Sequence, residues 1–199
     1  MRTVKITLSV VALLLLTFTT RADRLKIGAP VPSFSSLECT DGKTCSLDDL
    51  KDKDVLVICI TCNHCPVAEG YEDRIIDFNK KYCGEGSKVG FIAINVNNSP
   101  QDRMDKMKER AKEKGFNFTY AYDPSQKIAV NLGALRTPEF FVFNKERKLV
   151  YQGAFDNSMH TEKVTEVYLA PAVEATLKGE KIAKPITAAV GCGIIYERR

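Results

Sequence analysis

Two cysteines two residues apart, in Cys62-Asn63-His64-Cys65-Pro66, can cycle between a dithiol and a disulfide. Immediately before them Val55-Leu56-Val57-Ile58-Cys59-Ile60 is an apolar, largely β-branched run with the length of a buried parallel strand. After them apolar residues recur at Val67, Tyr71, Ile75, Phe78 and Tyr82, with Glu69, Glu72, Asp73 and Lys80 between, which is the pattern of an amphipathic helix. The pair therefore sits on a strand-to-helix turn. The first amides of a helix lack intrahelical partners, and its dipole is positive there, so a thiolate at that turn is stabilised. Two blander uses of the spacing fit less well. Half a zinc site would need a second such pair or paired histidines, and the only histidines are His64 and His160. A structural disulfide closing so short a loop would constrain the unfolded chain little.

The elements that must hold this turn follow in order. Residues 34–39 and 44–47 flank Thr40-Asp41-Gly42-Lys43, a hairpin signal. Cys39 and Cys45, an even number of residues apart, share a face of it, expected opposite each other across a three-residue loop. Both a local disulfide and two unpaired, half-buried thiols fit this reading. Residues 89–96 form a second buried strand, completing a right-handed βαβ unit. A charged helix over 100–114 ends at Gly115, a short strand covers 118–122, and a helix capped by Asp123 runs to Leu132 and Gly133. Arg136-Thr137-Pro138 leads into a hairpin of 139–144 with 149–153, and a last helix over 161–178 ends at Gly179.

The 199-residue chain opens with Arg2 and Lys5, an uncharged run from Ile6 to Phe18, and small residues at Thr20 and Ala22, as in a secretory signal peptide over 1–22. An uncleaved anchor is the alternative, although the run is short of the ~20 residues a span needs. The expectation is an extracytoplasmic protein, periplasmic or secreted, with no stable membrane association after cleavage. Loss of the leader's three basic residues leaves 26 Lys and Arg against 25 Asp and Glu, and no basic, aromatic patch argues for nucleic acid. Seven cysteines is an odd number, so at least one is free, intermolecular or transiently paired.

Strand, Cys-x-x-Cys helix, second strand, Thr137-Pro138 before a hairpin and a closing helix, in this order, resemble the thioredoxin superfamily over nearly all of 25–180. Gly28-Ala29-Pro30-Val31-Pro32-Ser33-Phe34, the Asp41-Gly42-Lys43 turn and Ser46-Leu47-Asp48-Asp49-Leu50 are similar to its redoxin branch of peroxiredoxins and exported thiol-disulfide proteins. The resemblance implies an α/β thioredoxin-like domain over 23–180, with a central mixed sheet flanked by helices and an N-terminal hairpin, and a tail over 181–199. It implies a cis Pro138 packed on the cysteines, with the Thr137 backbone receiving a partner's extended chain. The implied activity is thiol-disulfide exchange with protein thiols or disulfides and an upstream redox partner, without a cofactor. Cys62, at the exposed lip, is expected to be the thiolate nucleophile and Cys65 the shielded resolving thiol. His64 resembles the motif histidine of disulfide-forming oxidants, where the imidazole stabilises the first cysteine's thiolate; a solvated loop histidine is the alternative.

Two other activities are compatible with the resemblance. In peroxiredoxins the peroxide-attacking cysteine takes the position of Cys65, with an arginine placed like Arg136 to stabilise it. Redoxin-like copper chaperones pair two cysteines with a distant histidine, here His160, although their cysteines stand farther apart. Cys192, between Gly191 and Gly193 on a tail expected to be mobile, reads as a third redox thiol able to attack a Cys62–Cys65 disulfide. A docked small hydrophobe, or a static pair with Cys83, is the other reading.

Overall fold

The computed structural model describes residues 23–197; the expected signal segment lies outside them. The N-terminal hairpin consists of β1 (Leu37–Cys39) and β2 (Thr44–Cys45), and β3 (Val55–Thr61) leads into α1 (Pro66–Tyr82). Then come β4 (Val89–Asn95), α2 (Met104–Lys114), β5 (Thr119–Tyr122), α3 (Lys127–Leu132) and the two-residue β6 (Arg136–Thr137). The chain closes with β7 (Glu139–Phe143), β8 (Leu149–Gly153), α4 (Leu169–Lys178) and β9 (Cys192–Gly193). Seven strands make one mixed sheet in the order β2-β1-β5-β4-β3-β7-β8, parallel at β3, β4 and β5 and antiparallel elsewhere, while β6 and β9 pair separately.

The unbroken apolar run of β3 follows from its central place, because both of its faces are covered. Val55, Val57 and Cys59 pack with Tyr71, Ile75 and Phe78 of α1 and Leu169 and Val173 of α4. Leu56, Ile58 and Ile60 face the other side, against Ile128, Ala129 and Leu132 of α3. Among the described residues no helix is long and apolar enough to cross a membrane.

Four local expectations are corrected. In the hairpin Leu37 pairs with Cys45, and the Cys39 amide bonds Lys43 at 2.8 Å, so Cys39 and Cys45 are diagonal rather than opposite. Burial raises both thiol pKa values. The helix expected over 100–114 breaks at Arg103 (φ −71, ψ 158) after a 3-10 turn, Pro100–Asp102, because Asp102 is drawn fully into the interior. The helix expected over 161–178 starts only at Leu169, since the Asn157 side chain takes the amides of Thr165 and Glu166, and Val167 bridges to Asp156.

The tail is docked on the domain. Pro185 and Thr187 bond to both sides of Gln152, and the Thr187 hydroxyl takes the amide of Ala154 at 3.0 Å. Gly153 permits this approach, for a Cβ there would lie 2.2 Å from the Thr187 hydroxyl. Beyond it, Ile194 and Tyr196 pack on the α3 side of the core.

Candidate active site

At the end of β3 the chain must turn into α1, and Pro66 at the first helical position needs no amide partner, which leaves Cys65 as the N-cap (φ −87, ψ 117). Cys62 and Cys65 are both buried, at 3% and 0% exposure, under a lid of two segments. One is the loop of β6, where the Thr137-Pro138 bond is cis. Fully buried Glu139 fixes that loop by accepting the amides of Leu135 (2.7 Å) and Arg136 (3.3 Å), and it pairs with Arg24. The other segment is β9, antiparallel to β6 with Cys192 opposite Thr137 and Gly193 opposite Arg136.

Cys62, expected at an exposed lip, is buried together with Cys65, and the surroundings act on the two sulfurs in opposite directions. Cys65 is the acid of the set, its pKa lowered to about 4, chiefly because the Cys62 thiol donates to it, with further help from the Cys192 thiol and the amides of Ala68 and Cys192. The Cys192 amide reaches its sulfur at 3.4 Å. The Thr137 carbonyl, 3.3 Å away, suits the thiol and opposes the thiolate, but it is one acceptor against several donors. Cys62 is pushed up, first by its bond to Cys65, then by burial and the nearby charge of Asp102, although the Thr137 hydroxyl at 3.1 Å acts the other way. Cys62 is thus buried where the sequence led one to expect exposure, and the donors around the pair favour the thiolate at Cys65. Cys192, half-buried, is raised to about 11 by its bond to Cys65.

The other predicted residues are redistributed. Arg136 does not reach Cys65: it bonds the Gly191 carbonyl at 3.1 Å and lowers Cys192 instead. His64 turns Nδ1 to the Asp102 carboxylate, so that nitrogen is engaged by the buried acid and makes no direct hydrogen bond to Cys62. Asp102 was not legible as a site residue, because it looks like any acid in a charged helix. In the structure its Oδ1 also accepts from the Asn63 amide (2.7 Å) and Asn95 (3.1 Å), and Oδ2 from Ser99 (2.5 Å). Among the described residues Cys62, His64 and Asp102 are the one set with metal-ligand spacing, but all four lone-pair directions of Asp102 are already taken. His160, needed as a copper ligand, is exposed and outside that set. Cys83 caps the far end of α1, whose 17 residues span about 25 Å, so the static pair with Cys192 is excluded.

A mixed sheet with a Cys-x-x-Cys helix start facing a cis-proline loop defines a thiol redox protein of thioredoxin-like fold. Residues 26–169 match the redoxin family, and the chain belongs to it, an oxidoreductase by that membership. An uncharacterized conserved protein from Geobacillus kaustophilus is 30% identical, with TM-score 0.80 over 87% of this chain and 94% of that one. A hypothetical protein from Sinorhizobium meliloti 1021 is 29% identical, with TM-score 0.79 over 86% and 95%. A peroxidoxin from Mycobacterium tuberculosis, 18% identical over 78% and 98%, shares the fold at TM-score 0.60. No protein of curated function matches significantly.

Proposed function

We propose that this protein is an exported thiol-disulfide oxidoreductase that exchanges disulfides with partner proteins, with Cys65 attacking, Cys62 resolving and Cys192 as a third thiol. The observation that carries the reading is β9 itself. A cysteine-bearing extended strand lies antiparallel on β6 with its amide on the Cys65 sulfur, which is the pose a partner's cysteine needs for strand addition at this edge. Export rests on the leader's composition alone.

In the oxidising half of the cycle the Cys65 thiolate attacks one sulfur of a partner disulfide, forming a mixed disulfide and releasing the other sulfur as a thiolate. Cys62 then loses its proton and attacks Cys65, which closes the Cys62–Cys65 disulfide and releases the second partner thiolate. Cys192, as thiolate, can attack Cys65 in turn and return Cys62 to a thiol. Trapping tests the assignment: in a Cys192→Ser background, which removes the third thiol, Cys62→Ser accumulates mixed disulfides through Cys65. Equal trapping by Cys65→Ser overturns it.

A specific observation favours a second reading, thiol peroxidase activity. A Cys65 thiolate surrounded by amide and thiol donors is suited to attack hydrogen peroxide, giving a sulfenic acid and releasing hydroxide; condensation with the Cys62 thiol then forms the disulfide and water. Stopped-flow peroxide consumption no faster than by free cysteine removes this reading.

A further inference from the structure

In the exchange reading Cys62 must give up a proton when it attacks Cys65, and its burial and raised pKa make that loss unfavourable. The hydroxyls nearby offer no base. Thr137 Oγ1 lies at 3.1 Å from the sulfur, and the Tyr120 hydroxyl, donated to Asn63 at 2.7 Å, belongs to a tyrosine that burial pushes well above its ordinary pKa. One basic pair lies close enough for a proton to pass through a single water. The Cys62 sulfur, a ring nitrogen of His64 and a carboxylate oxygen of Asp102 all lie within 4.8 Å of one another.

The geometry of that pair fixes its tautomer. Nδ1 of His64 faces an acceptor-only carboxylate and therefore carries the ring proton, which leaves Nε2 bare. Asp102 is held by Asn63, Asn95 and Ser99 and cannot turn away. We propose that His64 and Asp102 are the proton acceptor for Cys62: His64 accepts the thiol proton as Cys62 closes onto Cys65, and Asp102 positions the ring and stabilises the imidazolium. The S–S bond to Cys65 forms as the bond from Cys65 to the partner sulfur breaks, the partner leaves as a thiolate, and the proton passes from the His64 side chain, 40% exposed, to water. Asp102 is a positioning residue in this step. The other charged groups facing the ring are Glu69, Lys106, Glu109, Arg110 and Glu113 across one hollow and Glu197 across the other.

The inference rests on the exchange reading, and one experiment separates the two. In a Cys192→Ser background, so that Cys62 alone resolves, the reduced protein is mixed with oxidised glutathione, quenched at intervals in acid and weighed intact. Formation of the glutathione mixed disulfide reports Cys65, and its loss on closure reports Cys62. Asp102→Asn and His64→Gln are each expected to leave the first step within about twofold and to slow closure about 100-fold, the lower end of what a positioned base supplies. Closure in these variants should rise about tenfold per pH unit, because hydroxide must then take the proton, while the background protein shows a flatter profile. The double variant should be no slower than His64→Gln alone. Closure within twofold in His64→Gln, a surface change that decides even where Asp102→Asn does not fold, overturns the inference. Failure of the background protein to form a mixed disulfide at Cys65 overturns the exchange reading, and this inference with it.

Discussion

If β9 occupies the place of a partner's strand, another protein reaches Cys65 only when β9 lifts, and Gly191→Ala should lift it. A Cβ at Gly191 would lie 2.0 Å from the Thr137 carbonyl oxygen and 2.7 Å from its carbon. The obstacle is backbone, held between the Cys62 contact and Pro138, so β9 has to yield. Three bonds go with it: Ile194 amide to Leu135 carbonyl (3.1 Å), Arg136 to the Gly191 carbonyl (3.1 Å) and Cys192 amide to Cys65 (3.4 Å). At about 1 kcal/mol each, their loss moves the docking equilibrium by about 3 kcal/mol, or roughly 100-fold. The readout is labelling of Cys65 by a bulky maleimide, located by peptide mass. Cys65 is 0% exposed in the docked form, so its rate follows the undocked fraction and should rise about 100-fold. Cys59, equally buried but in the centre of β3, is the internal control. Labelling of Cys65 within threefold of the parent (about 3 kcal/mol being the shift at stake), or Cys59 rising in step with it, refutes the reasoning.

The lowered Cys65 pKa links stability to pH. Folded at about 4 against an ordinary 9.0, the thiolate's contribution is fully present above pH 9 and fades as pH falls toward 4. Urea midpoints of the reduced protein should therefore drop more steeply over that window than those of Cys65→Ser, and parallel profiles would contradict the assignment. Cys192→Ala removes one thiol donor and should move the ultraviolet thiolate titration of Cys65 upward, whereas an unchanged midpoint shows that the tail sulfur plays no part. Arg74 pairs with buried Asp156 and donates to the carbonyls of Ser158 (2.9 Å) and Met159 (2.8 Å), far from the thiols; Arg74→Met should cost about 3–5 kcal/mol in urea unfolding and leave that titration where it was.

The scaffold was legible because its signals are local and strong. The run at 55–60, the apolar spacing along α1 and the left-handed caps at Gly115, Gly133 and Gly179 each say what they do without reference to the rest of the chain. The pair Cys62 and Cys65, and Thr137-Pro138, were found the same way. What failed was whatever depends on a contact between distant segments. Asp102 reads as solvated until the turn at Pro100 buries it, and the break at Arg103 follows from that burial. Glu139 and Arg24, 115 positions apart, carry no mark of their pairing. The glycines beside Cys192 did signal a close approach, but not the surface approached.

The same dependence governs which sulfur the surroundings favour as the thiolate. Exposure argued for Cys62, and in a site open to water it would have decided the matter. Here β9 removes water from both sulfurs, so the charge goes to the one with donors. Cys65 has the helix start beneath it and the Cys192 amide above, whereas Cys62 has the buried carboxylate of Asp102 beside it. One strand thus both buries the Cys65 thiolate and supplies part of the hydrogen bonding that water would have given. When β9 leaves, water takes the place of those donors, so the charge on Cys65 changes less than its accessibility does. On the exchange reading, docking of the tail therefore bears on which molecules reach Cys65 more than on how acidic it is.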